Sequence, residues 1–455
     1  MTIRIQPPPL TVDPPAVTVD PPALTVTPPP ITVQPPAITV QPPPLRAGQI
    51  TVVPPPITVT PAALVVQPPA LTVDPPPLTI DPPPLTVTPP PIEIEAPRPE
   101  LVATGTLPAT LAAFDRAMRE YMERHRIEAG VLAVARAGVI RLERGYGWLN
   151  TRRSEAVQPD TPMRVASVVK PVTRAAIQLL IAQGRLTPAT LAFPLLGLSP
   201  LRSPRAKLDA RLQDVTVQHL ADHRGGWESD KAPLFDPMFQ TALISARVGH
   251  WPADAVDIIR FMLGRRLDFD PGSRKAYSNF GHCVLGRVIE QVANKPYLDF
   301  VRDDLLGPGN NTSVRLARSL PRDRHPREPV YSSPGPPVPN VVDRSQPPGP
   351  LCDGGFHIEA MDSHGGLIFS APDLVRFALR FKYDGRPNMG DAAPISHTGS
   401  LPGTTAVLRW HSGGIVFAAV FNKRHWKATA EGPMPEGDEI GGMLEAAADS
   451  IASWP

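Results

Sequence analysis

Met163-Arg164-Val165-Ala166-Ser167-Val168-Val169-Lys170-Pro171 is the stretch on which the reading of this chain turns. It runs into an apolar helical pattern from Val172 to Gly184. A serine and a lysine three residues apart share one side of a helical turn. That spacing suits a hydroxyl nucleophile with an amine beside it. Serine at its ordinary pKa needs a neighbouring base, and a desolvated lysine can be that base because burial lowers its pKa. Taken alone, Ser167 reads equally well as a helix cap and Lys170 as a surface residue of the first turn. Pro171 lies early enough in the helix that its missing N–H costs little.

Two further motifs agree with the first. Tyr277-Ser278-Asn279 precedes a helical pattern from Gly281 to Ala293, and His397-Thr398-Gly399 precedes an apolar strand from Thr404 to Trp410. The order S-x-x-K, Y-x-N, [KH]-T-G resembles the serine β-lactamase and penicillin-binding-protein superfamily, and the tyrosine points to its class C β-lactamase, esterase and D-aminopeptidase branch. The S-D-N motif of class A enzymes is absent. Thr216 to Gly226, Ser278 to Gly286 and His364 to Leu374 resemble flanking segments of the same family. The resemblance runs from about Leu107 to the C-terminus and says nothing of residues 1–106.

The resemblance implies an α+β fold: an antiparallel sheet flanked by helices, shared by N-terminal and C-terminal strands, with an all-helical lobe inserted between them. The local patterns are consistent with that. Leu107 to Arg126 reads as an amphipathic helix, and Gly130–Arg136 with Val139–Gly145 as a hairpin. Thr404–Trp410 and Gly414–Asn422 read as an antiparallel pair about a turn at His411-Ser412-Gly413, and Asp438–Ser453 as a closing helix. Pro326 to Pro350 reads as a long loop, and its place before Gly365 makes it a candidate wall of the cleft.

Roles follow from the resemblance. Ser167 is the candidate nucleophile, forming an acyl-enzyme, and Lys170 its base. Tyr277 is a second base, or the acid for the leaving group, its phenol pKa expected to fall beside a lysine. Asn279 is expected to orient Lys170 and the substrate, although an asparagine there could also cap the helix. His397 stands where β-lactamases have lysine. As a weaker cation it would hold a substrate carboxylate less well, which favours esters or amides over penicillins. The backbone N–H groups of Ser167 and Ser400 would form the oxyanion hole, with small Gly399 allowing the strand to approach.

Residues 7–95 are a different material, repeating every seven residues as Pro-Pro-Pro-Leu-Thr-Val-Asp and its variants. One unit, Pro42 to Val53, is longer and carries Arg46 and Gly48. The prolines forbid a coiled coil. Pro-Pro favours polyproline II, and Leu-Thr-Val reads as a very short strand. Two readings stay open: an extended, proline-stiffened stalk, or an ordered short-strand β-solenoid or fibre. The second is favoured slightly, because an aliphatic pair in nearly every unit is unlike an ordinary disordered linker and can be buried by stacking on neighbouring coils or chains.

Composition narrows the function classes. The 455 residues carry a formal net charge of +2, which leaves no nucleic-acid footprint. No apolar run is long enough for a membrane span. The opening Met1–Gln6, followed at once by prolines, does not resemble a secretory signal peptide. A cytoplasmic location is therefore the default expectation, with a surface fibre exported by a non-standard route as the alternative. Cys283 and Cys352, the two cysteines, give no disulfide framework, and Cys283 reads as a buried free thiol. His219 and His223 lie four apart but lack the glutamate of a zinc motif, so no metal or other cofactor is expected. Residues 1–100 are thus read as a stalk or fibre segment with possible self-association. Residues 101–455 are read as a serine hydrolase acting on an ester or amide: an esterase, a D-aminopeptidase or a DD-peptidase-like enzyme, with weak β-lactamase action at most. The alternatives are a penicillin-sensing module that acylates without turnover, or a structural fibre carrying the hydrolase domain as a passenger.

Overall fold

The computed structural model describes residues 101–455 apart from 202–207, 230–235, 308, 310–312, 425, 430–431 and 436. The heptad repeat, and with it the choice between stalk and fibre, lies outside the described residues.

A six-stranded antiparallel sheet forms the scaffold. Its strands are β1 (Ala103–Thr104), β2 (Ala129–Arg136), β3 (Val139–Gly147), β7 (Ile395–Leu401), β8 (Thr404–His411) and β9 (Ile415–Phe421), in the spatial order β1-β3-β2-β9-β8-β7. N-terminal and C-terminal strands meet where β2 pairs with β9, Val131 opposite Val420 and Val134 opposite Phe417. β9 is buried along its whole length. Phe417, Ala419 and Phe421 face one core, and Val416, Ala418 and Val420 the other, as the two-residue period of a strand dictates. On the first face lie α1 (Ala112–Arg124) and α10 (Gly437–Asp449), packed through Phe114, Met118, Tyr121 and Leu444.

On the second face lie α2 (Val169–Ala182) and α9 (Ala371–Arg380), and beyond α2 the helical lobe. The lobe includes α3 (Ala192–Leu196), α4 (Val217–Ala221), α5 (Thr241–Val248), α6 (Ala255–Leu263), α7 (Asn279–Ala293) and α8 (Tyr297–Asp299), the last continued by a π-helical turn, Phe300–Leu306. A small sheet joins β4 (Met163–Arg164), β6 (Leu367–Phe369) and β5 (Arg315–Leu316) in that order.

Several boundaries differ from those the sequence predicts. The first helix starts at Ala112 and not at Leu107, because Pro108 is extended at ψ 133° and residues 109–111 form a single 3₁₀ turn. His397-Thr398-Gly399 does not merely precede a strand. It lies within the edge strand β7, paired to β8 with His397 opposite Leu408. The Pro326–Pro350 segment has no named helix or strand, and its start is bonded to β4 and to the end of β9. Tyr331 Oη accepts the Arg164 N–H at 2.8 Å, and Ser332 donates its N–H to the Asn422 carbonyl. Among the described residues no helix is long and apolar enough to cross a membrane.

Candidate active site

The polypeptide enters the site from β4 and turns through Ala166–Val168, a 3₁₀ turn that feeds α2. Ala166 has φ +49°, a left-handed conformation uncommon for a residue other than glycine. It is buried, and the kink sets Ser167 immediately before the helix. Gly399 on β7 lies against this turn. A β-carbon there would stand 2.2 Å from the Val165 carbonyl oxygen. Only glycine allows the edge strand so near, which gives the glycine of the third motif its physical reason.

Ser167 Oγ receives a hydrogen bond from Lys170 Nζ at 2.9 Å and shares another with Tyr277 Oη at 2.6 Å. Lys170 also donates to the His364 carbonyl at 2.9 Å. Lys170 is 1% exposed. Burial lowers its pKa to about 7, opposed by the Asp236 carboxylate. A lysine so placed is neutral in a large fraction of molecules near pH 7. Its ammonium position lies 4.8 Å from the centre of the Tyr277 ring.

His397 Nε2 bonds the Ser167 carbonyl oxygen at 2.7 Å. Burial, with Lys170 nearby, lowers its pKa to about 3, against the pull of that hydrogen bond. The imidazole is therefore neutral and acts as a donor to the backbone of Ser167, where the sequence suggested a weak cation facing substrate. Ser400 follows Gly399 along β7, opposite Thr405.

Asn279 departs from the expected arrangement. Its side-chain amide donates to Asp236, and its N–H to Ser229 Oγ at 3.4 Å. The two hydrogen bonds described for Lys170 go elsewhere, so orientation of Lys170 by Asn279 is not a direct contact. The helix cap is Ser278, whose Oγ accepts the Gly281 N–H at 3.2 Å. Asp236 is a site-adjacent carboxylate that the sequence reading missed. Its one local signal is Asp-Pro at a helical start: Asp236 Oδ1 caps Met238 N–H at 3.0 Å, with Pro237 in the first position.

Three buried histidines were also missed as neighbours of the site: His223, His282 and His364. Each has its pKa lowered, chiefly by burial and also by the positive end of Lys170. His219 has a structural task, its Nδ1 accepting the Thr216 N–H at 3.4 Å in a capping box. Among the described residues no cluster of three or more His, Cys, Asp or Glu side chains could hold a metal ion. Cys283 and Cys352 are both buried and unpaired.

The family model described as Beta-lactamase matches residues 114–394, ending just before His397. Esterase EstB of Burkholderia gladioli is 31% identical over 188 residues, 41% of this chain and 45% of the esterase. The chain spans less than half the length of the curated relatives it matches first. Among solved structures, the octameric penicillin-binding protein homologue from Pyrococcus abyssi aligns with a TM-score of 0.52 at 18% identity, over 74% of this chain and 77% of that one. The D-amino acid amidase from Ochrobactrum anthropi SV3 aligns with a TM-score of 0.53 at 17% identity, over 75% of this chain and 98% of the amidase. At those identities the structures speak for the fold alone, whereas the family match covers more than half of the sequence. Through residues 114–394 the chain belongs to the beta-lactamase family, and its fold is the mixed helix and antiparallel-sheet fold of that family.

Proposed function

We propose that the protein is a serine hydrolase that forms an acyl-enzyme at Ser167 and cleaves an ester or an amide. The observation that carries this reading is the compact set Ser167–Lys170–Tyr277. One hydroxyl is bonded at 2.9 Å and 2.6 Å to an amine and a phenol, and the amine is buried with its pKa lowered to about 7. Ser167 Oγ attacks the acyl carbon as its proton passes to the Lys170–Tyr277 pair. The backbone N–H groups of Ser167 and Ser400 take the developing oxyanion. Collapse of the intermediate expels the alcohol or amine, which receives a proton from Tyr277. Water then repeats the sequence and frees the acid.

The neutral state of His397 and its engagement with the Ser167 carbonyl support substrates without a carboxylate at that position. Simple esters and amides are therefore favoured over penicillins. We read residues 1–100 as a stalk that carries the hydrolase and that associates with its own kind through the repeated aliphatic pairs.

The test is hydrolysis of a short-chain p-nitrophenyl ester together with labelling by a fluorophosphonate. Ser167→Ala should abolish labelling and lower kcat by about 10³-fold or more. Labelling or turnover retained in that variant would refute the assignment.

A further inference from the structure

Tyr277 is 44% exposed, yet its hydroxyl sits 2.6 Å from Ser167. An exposed phenol needs something to hold it there, and one residue supplies three of the contacts described around it. His223 follows α4 and is 4% exposed. Its carbonyl accepts the Ala276 N–H at 2.8 Å, and its Nδ1 accepts the Ser278 N–H at 3.3 Å. The main chain on both sides of Tyr277 is thus tied to the same side chain and backbone. The imidazole also lies 4.8 Å from the Tyr277 ring, tilted by 32°. Behind it His282, on α7, is 4.7 Å away at the same tilt. The three rings form a column from the lobe interior to the site.

The chemistry of His223 matches that task. A ring nitrogen that accepts an N–H carries no proton, so the proton resides on Nε2 and the ring is neutral. Its pKa, lowered to about 3 by burial and by Lys170, keeps it neutral throughout the working range. Its backbone is left-handed at φ +59°, a conformation that histidine and asparagine enter more readily than most residues. That bend lets the carbonyl and the ring nitrogen of one residue reach two N–H groups that flank a single tyrosine.

We propose that His223 is a positioning residue for Tyr277, holding the phenol oxygen within proton-transfer distance of Ser167. The proposal rests on the reading of Ser167 as the nucleophile. His223 itself touches neither substrate nor Ser167. Its neutral Nδ1 acceptor fixes the Tyr277 backbone, and its ring limits where the phenol can swing.

The test uses the full-length protein, a short-chain p-nitrophenyl ester and two substitutions. His223→Asn suits the left-handed backbone and offers Oδ1 near the place of Nδ1. His223→Phe keeps a ring but offers no acceptor. A displaced catalytic group costs up to about 10²-fold. His223→Phe is therefore expected to lose about 10²-fold in kcat with KM changed by less than about threefold, its fluorophosphonate labelling of Ser167 slowing in parallel. His223→Asn is expected to recover to within about tenfold of the wild type. Thermal midpoints measured alongside separate positioning from unfolding. A His223→Phe enzyme with wild-type kcat overturns the proposal. So does an equal loss in both variants that tracks their thermal midpoints. Ser167→Ala run beside them distinguishes the two readings. Wild-type turnover that survives Ser167→Ala overturns the hydrolase assignment and the positioning role together. Ser167-dependent turnover that is indifferent to His223 overturns the positioning role alone.

Discussion

His397 donates from Nε2 to the carbonyl oxygen of Ser167 at 2.7 Å, so the third motif grips the backbone of the first. The bond ties the edge strand β7 to the turn that carries Ser167, and it keeps a neutral ring where a lysine would place a fixed charge. A substrate carboxylate arriving there meets no cation from His397.

His397→Lys should therefore change substrate preference more than overall competence. The ratio of nitrocefin to p-nitrophenyl ester kcat/KM should rise by about tenfold or more, since a charge-assisted hydrogen bond contributes about 1.5–3 kcal/mol. Efficient nitrocefin hydrolysis by the wild type would contradict the premise.

Lys170 links activity and stability to pH. As the proposed base it acts when neutral, so kcat/KM should rise with pH through about 7. The unfolded lysine titrates near its ordinary value of 10.5. Between about 7 and 10.5 the unfolded state binds more protons than the folded one, so this residue's contribution to stability grows as pH rises and is lost as pH falls through the folded pKa. Lys170→Met should abolish turnover. It should also stabilise the fold more at pH 6 than at pH 9, by about 2–3 kcal/mol, as read by denaturant titration. Equal effects at the two pH values would show that Lys170 is not desolvated as described.

Tyr277 and Lys170 share Ser167 Oγ, so their effects should not add. Tyr277→Phe and Lys170→Ala should each lower kcat by about 10²-fold or more, and the double variant should be little worse than the poorer single one. Multiplicative losses would mean that the two groups serve separate steps.

Gly399→Ala places a β-carbon 2.2 Å from the Val165 carbonyl oxygen. Backbone must move, because no flexible side chain stands in the way. The expected result is a loss of about 1–3 kcal/mol in stability. The kcat deficit should be about 10²-fold, as β7 withdraws from the oxyanion position. Wild-type kinetics in a folded Gly399→Ala protein would remove Gly399 from the site.

Deleting residues 1–100 should leave ester hydrolysis within about twofold of the full-length protein, since every residue given a catalytic role lies at Ser167 or beyond. Loss of activity in a soluble deletion variant would show that the repeat contributes to the hydrolase.

The sequence alone determined the pairing of β8 with β9, the hairpin of β2 and β3, and the helix that follows Ser167, because each is a short-range pattern of apolar and turn residues. It also determined Lys170 beside Ser167, since three residues of helix fix that distance without reference to any other part of the chain. It did not determine that Asn279 turns to Asp236, that His397 is neutral and bonded to the Ser167 carbonyl, or that His223 accepts the N–H of Ser278 beside Tyr277. Those partners are separated from one another by 43, 230 and 55 positions. The first and last depend on how the elements of the helical lobe pack together, and the second on how the edge strand β7 closes on the turn before α2. Charge state follows the same logic: the ordinary pKa values of lysine and histidine belong to the residue type, while the displacement of Lys170 to about 7 and of His397 to about 3 comes from burial that only the packed lobe and sheet provide.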